Sequence, residues 1–366
     1  MELANVLKLA VDQRCSDVHI AVGMPPMMRR NGEIMPIDAS LPPLAAEDTR
    51  RLIYSMLEPD QRTRLEANWE LDSSYEVAGL SRFRVNVLMT RAGLETVMRV
   101  IGATIPEPEA LGITAPMLAL AGLPRGLVLV TGPTGCGKST TLACLIDRAN
   151  ETRPEHILTI EDPIEFIYEP KRCVIRQRQV GLSTKSFPNA LKAALREDPN
   201  IILVGEMRDY ETIGLAVTAA ETGHLCFATL HTQDAASTVA RIIDVFPPHQ
   251  QAQIRVQVAN SLRAVISQLL LPRLDGKGRV AVRELMIVTP AIANMIREGK
   301  PFLIYSAIDT GTQAGMISMD RALADVIRRG LVDPEVALAK AHDPSVVRQL
   351  AGLPAGAPAG AAARPR

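Results

Sequence analysis

The sequence predicts an α/β protein with a parallel-sheet domain, a small α+β domain ahead of it and a helical extension behind it. Three observations carry that prediction. Between residues 113 and 289, short continuous apolar runs alternate with helical stretches, the pattern of strands covered on both faces by crossover helices. One of these runs leads directly into a glycine-rich loop and then an apolar helix, at 127–146. Residues 1–101 instead mix strands of alternating polarity with amphipathic helices.

Taken in order, residues 2–14 carry apolar side chains at Leu3, Val6, Leu7, Leu9 and Ala10, one stripe of a helix. Strands are expected at 18–22, 33–36, 73–77, 81–88 and 95–100, and a second helix at 47–57. The Pro-rich, polar stretch 102–112 reads as a linker. In 113–289 the apolar runs 127–131, 157–160, 201–204 and 225–230 are the expected parallel strands. Residues 290–350 look helical only, with pieces at 294–297, 319–329 and 334–342. The Ala/Gly/Pro-rich tail 351–366 cannot bury a core and is expected to be disordered.

Composition narrows the function. A chain of 366 residues suggests two or three domains. Hydrophobic residues at 47% and charged ones at 22% exclude wholesale disorder. Forty basic and forty acidic residues give no net charge, and aromatics are only 3%. Nucleic-acid binding is therefore disfavoured: there is no basic excess and little to stack bases on. Five scattered Cys form no CxxC pair, so a reducing compartment is expected, with neither disulfides nor zinc. The Met-Glu-Leu-Ala start lacks a signal peptide's basic and apolar regions, and Pro116, Pro124 and Arg125 break the longest apolar stretch. A cytoplasmic protein is expected.

The chemistry centres on Gly132-Pro133-Thr134-Gly135-Cys136-Gly137-Lys138-Ser139-Thr140, a full GxxxxGK[ST] match between a strand and a helix. Glycines let backbone N–H groups face phosphate oxygens, and the helix N-terminus adds partial positive charge. Lys138 is expected on the β- and γ-phosphates and Ser139 on Mg²⁺. The chain therefore binds a nucleoside triphosphate. Glu206, just past the run 201–204, stands where an acidic residue holds Mg²⁺ or orients water. Glu161, Asp162 and Glu165 follow the run 157–160, at the end of a strand where α/β sheets place ligands. Pro163 turns the chain there and can aim Glu165 at a γ-phosphate. His224 and His231 flank the run 225–230, which suggests a γ-phosphate sensor.

These motifs, in this order, resemble the secretion/type IV pilus ATPases, and within them the branch that powers pilus retraction in twitching motility. The likeness rests on the glycine-rich loop, the acidic box at 159–165, Leu203-Val-Gly-Glu-Met-Arg-Asp209 and the histidine box at 220–231. Ser186–Asp198, Arg241–Pro247, Ser16-Asp-Val-His19 and Ser81–Asn86 are similar to the same branch. The segment Ala291-Ile-Ala-Asn-Met-Ile-Arg-Glu298 matches its C-terminal motif except at Ala293 and Met295.

The resemblance implies a PAS-like first domain, a RecA-like P-loop motor domain and a homo-hexameric ring with nucleotide between the two. Arg84 and Arg99 are then finger arginines, with Arg82 a weaker match, and Arg241 is a phosphate-side arginine. ATP would be the substrate and Mg²⁺ the cofactor. The implied partners are an inner-membrane pilus platform protein and an accessory-motor paralogue, which would hold the ring at the inner face of the cytoplasmic membrane. Two other readings of the chain itself are an accessory retraction ATPase and, on the same RecA-like core, a nucleic-acid motor. Neither an Asn-Lys-x-Asp base-reading motif nor a Leu-Ser-Gly-Gly-Gln signature is present, which sets GTPases and transporter-type ATPases aside.

Overall fold

The computed structural model describes residues 2–30, 32–101 and 105–354. They fall into two compact units. One comprises the residues up to 105 together with Pro163–Ile167; the other comprises Pro106–Asp162 and the described residues from Tyr168 onward.

The first unit contains α1 (Leu3–Asp12), β1 (Asp17–Ile20), β2 (Met27–Arg30), β3 (Glu33–Pro36), α2 (Ala46–Ser55), α3 (Pro59–Asn68), β4 (Glu70–Val77), β5 (Ser81–Met89) and β6 (Leu94–Ile101). Its antiparallel sheet has the order β3-β2-β1-β6-β5-β4. Alternation along β5 decides which face is which. Phe83, Val85 and Val87 point into the core with Leu7, Ile20, Ile53 and Met98, so Arg84 and Asn86 point out.

Two elements of this unit are not evident in the sequence. The Met-Met-Arg-Arg run of β2 does not alternate, and α3 buries only Gln61 and Leu65, too thin a stripe for periodicity to register.

In the second unit α4 (Ala115–Ala119) leads to β7 (Gly126–Thr131), α5 (Lys138–Thr152), β8 (His156–Glu161), β9 (Val174–Gln179) and α6 (Phe187–Ala194). Next come β10 (Ile201–Val204), α7 (Tyr210–Glu221), β11 (Leu225–Leu230), α8 (Ala235–Asp244) and α9 (Pro248–Ser261). After β12 (Leu262–Pro272) and β13 (Arg279–Ile287), the chain is helical: α10 (Pro290–Arg297), α11 (Ile304–Thr310), α12 (Met319–Arg328), α13 (Pro334–Leu338) and α14 (Pro344–Ala351).

The sheet order is β13-β12-β7-β11-β10-β8-β9, parallel except for β13. Every residue of β7, β10 and β11 is buried, which explains their almost wholly apolar sequences, with Thr131 and Thr229 as the polar residues. The α12–α14 region packs Leu323, Val332 and Val347 against Leu271 and Val282 of the β12–β13 hairpin.

Strands β9, β12 and β13 go beyond the sequence expectation. The β9 strand is a half-exposed edge rich in Arg and Gln. The other two are interrupted by Ser267, Gln268, Arg283 and Glu284, all of them buried. Helix α14 ends at Ala351, inside the expected tail, with Gly352 as its cap. Residues 355–366 of that tail and 102–104 of the expected linker lie outside the described residues. All five Cys are free and buried. Among the described residues, no helix is long and apolar enough to cross a membrane.

Candidate functional site

The buried strand β7 delivers the chain into the loop 132–137, and α5 begins at Lys138. Glycine is required at Gly132: at φ 138°, a Cβ would lie 2.2 Å from the Gln268 carbonyl oxygen. Gly137, at φ 90°, is the residue from which α5 starts, and no side chain caps that end. The first amides of α5, from Lys138 to Thr140, therefore lack intrahelical acceptors, and the positive end of the helix dipole faces the loop. Lys138 Nζ folds back to donate to the Gly132 carbonyl at 2.8 Å and the Pro133 carbonyl at 3.2 Å. Ser139 and Thr140 are half-buried in the first turn. A loop of this form is a phosphate receptor.

Because β8, β10 and β11 run parallel to β7, their carboxyl ends open on the loop's side of the sheet. Glu161 closes β8 and accepts from Thr159 Oγ1 at 2.6 Å and Gln177 Nε2 at 3.3 Å. Glu206, two residues past β10, accepts from Arg208 Nε at 2.8 Å and from His231 Nε2 at 2.9 Å. Burial pushes its carboxyl up, but Arg208 and then His231 outweigh that and hold it below the usual carboxylate range. Glu206 is thus ionised and already bonded to two basic side chains.

The two histidines flank β11, one at each end. His231 follows the carboxyl end of β11, beside Glu206. His224 precedes its amino end, where its carbonyl accepts from Gly126 N at 3.0 Å. Its ring Nδ1 lies 2.9 Å from the Ala219 carbonyl. A six-residue strand puts about 20 Å between them. Within this chain His224 is a strand-start residue rather than a neighbour of the loop. Arg241 is exposed in the last turn of α8.

In the first unit, β5 and β6 place Arg84 and Arg99 directly opposite each other. Arg84 Nη1 is 3.9 Å from Glu165 Oε1, and Arg99 Nε is 2.9 Å from Asp17 Oδ1. Asp17 is itself the partner of Arg99 across β1 and β6. Arg82 bonds Ser74 Oγ at 2.7 Å and Glu76 Oε2 at 3.2 Å on the neighbouring strand. Past Pro163, Glu165 groups with this first unit rather than with the sheet it leaves.

Sequence reading missed Gln268, Arg283 and Glu284. Their signal is polarity inside otherwise apolar runs: Val265-Ile-Ser-Gln-Leu-Leu-Leu271 and Val280-Ala-Val-Arg-Glu-Leu-Met286. Buried polar side chains persist where they have partners. Gln268 reaches the loop at Cys136 and α5 at Thr141. Glu284 accepts from the first amides of α8 and α12, Ala235 N at 2.9 Å and Met319 N at 3.3 Å.

No cluster of three or more His, Cys, Asp or Glu side chains suited to a metal occurs among the described residues. Mg²⁺ does not need one, because it keeps several waters and binds through one or two protein oxygens plus substrate phosphates. The oxygens of Ser139 and Glu206 fit that requirement.

A family model described as "Type II/IV secretion system protein" matches residues 3–314. The chain is 49% identical to the "Type IV pilus retractation ATPase PilT" of Pseudomonas aeruginosa, over 94% of this chain and 99% of that one. It is 39% identical to the "Type IV pilus ATPase PilU" of the same organism, over 96% of this chain and 92% of that one. A solved structure of the pilus retraction motor PilT with bound ADP superposes with a TM-score of 0.87 at 44% identity, covering 94% of this chain and 98% of that one.

Proposed function

The chain belongs to the Type II/IV secretion system protein family, and we propose that it is an ATP-hydrolysing motor that retracts a type IV pilus in twitching motility. The observation that carries this is the complete phosphate-receiving loop in a chain 49% identical, nearly end to end, to a retraction ATPase. The lower identity to the accessory protein, 39%, favours the retraction motor over the accessory reading.

In this reading the ATP phosphates lie over the loop amides, and Lys138 leaves its two carbonyls for the β- and γ-phosphates. Ser139 and Glu206 would hold Mg²⁺, which when bound neutralises charge between those phosphates. His231 keeps Glu206 in place. Glu165 takes the proton of the attacking water as general base. Arg84 and Arg99 stabilise charge on the transferring phosphoryl group in an assembled homo-hexamer. Motion of the ring acts on an inner-membrane platform protein, which keeps this cytoplasmic motor at the inner face of the membrane.

Deleting the gene and scoring surface pili tests the direction of work. Retained or excess pili without twitching is the expected result. Loss of pili would make the chain an assembly motor instead.

A further inference from the structure

The buried polar residues of β12 and β13 have no part in the roles above. Gln268 follows Ser267, which pairs with Thr131 at the end of β7, so its side chain meets the phosphate loop from below. Its Nε2 donates to the Cys136 carbonyl at 2.6 Å, and its Oε1 accepts from the Thr141 hydroxyl at 2.8 Å and from Arg283 Nε at 3.3 Å. Arg283 also donates to the Leu111 carbonyl at 2.7 Å and to Thr141 Oγ1 at 3.3 Å. These acceptors are neutral, and no carboxylate pairs with Arg283 among the described residues. Gln268 is fully buried and Arg283 is 7% exposed. Burial pushes the guanidinium down to about 10.

Two physical consequences bear on the loop. A trans peptide directs its C=O and its N–H to opposite sides. Gln268 draws the Cys136 carbonyl into the protein, which turns the Gly137 N–H of the same peptide toward the open side, with the orphan amides of Lys138–Thr140. The second consequence concerns charge. A buried cation without a counter-ion is costly, and this one lies a single hydrogen bond from the first turn of α5. A polyphosphate on the loop is the anion that would compensate it.

We propose that Gln268 and Arg283 are positioning residues for nucleotide: Gln268 sets the loop in its phosphate-accepting form, while Arg283 fixes Gln268 and supplies a buried positive charge that the polyphosphate satisfies. The proposal rests on the reading of the loop as an ATP site.

The test is equilibrium binding of ATP and of ADP to the full chain, with steady-state kinetics and thermal unfolding alongside. Arg283→Gln removes the charge and keeps hydrogen-bonding capacity. It is expected to raise the Kd for ATP about tenfold, and that for ADP less, since ADP carries less charge. Arg283→Lys is expected to recover most of the ATP affinity. Gln268→Met removes all three side-chain hydrogen bonds at similar length and is expected to raise KM for ATP more than it lowers kcat. If Arg283→Gln does not fold, Gln268→Met decides.

ATP affinity within twofold of wild type in a folded variant overturns the proposal, as does equal loss for ATP and ADP in Arg283→Gln. If wild type bound no ATP, the assignment of the loop would fail and this proposal with it.

Discussion

Arg84 and Arg99 face each other directly across β5 and β6, two guanidinium groups on the outward face of one sheet. Like charges in that relation destabilise a sheet unless something offsets them. Here Asp17 holds Arg99 by Nε at 2.9 Å and Glu165 approaches Arg84 at 3.9 Å. Both arginine side chains remain substantially exposed, at 68% for Arg99 and 44% for Arg84. Such an arrangement presents positive charge outward, suited to an anion brought from elsewhere.

If these arginines complete the site only in a ring, specific ATPase activity should rise with protein concentration as subunits associate. Steady-state rates across a dilution series, matched to sedimentation of the same samples, check this. A dilute monomer working at full rate contradicts it.

Lys138→Ala should abolish ATPase activity while leaving the fold intact. Lys138 is only half-buried, and its two hydrogen bonds go to carbonyls of its own loop, so little packing is lost. Turnover at the wild-type rate, with circular dichroism showing a folded protein, would sink the loop assignment.

Glu165→Gln and Glu206→Gln should separate two roles. The first keeps shape but loses basicity, so nucleotide still binds and hydrolysis falls ~10²–10⁴-fold. The second loses the charge that gathers Arg208 and His231 and should weaken Mg²⁺ dependence and hydrolysis together. Mg-ATP affinity and single-turnover rates are the measurements. Near-normal hydrolysis by Glu165→Gln would transfer the role of base to Glu206.

Glu284 predicts a pH effect on stability. Burial, with smaller contributions from Asp234 and Asp320, pushes its carboxyl up to about 7, against the opposing amides of Ala235 and Met319. Between its unfolded value of 4.5 and about 7, the folded chain holds a proton that the unfolded chain has released. By linkage, this residue's contribution to stability falls as pH rises through that window and levels off above it. His19, lowered by burial, slopes the other way, so the comparison must be with a variant. Thermal midpoints from pH 5 to 8 should decline less in Glu284→Gln than in wild type. Parallel curves would count against it.

Much of the nucleotide loop was legible because its information is contiguous. A strand, three glycines with defined conformations, Lys138 and Ser139 lie within a few residues of one another, and local backbone physics suffices to place them. Predominantly apolar runs likewise marked β7, β8, β10 and β11, since strands buried on both faces have no polar side to show. What only the tertiary structure decided is register. It joined His231 to Glu206 and carried His224 to the far end of the same strand. It set Arg84 against Arg99, and it brought Gln268 and Arg283 beneath a loop more than 130 residues away in sequence. Those side chains read as interruptions in apolar strands because their partners come from other elements, and no local pattern encodes which strand lies next to which.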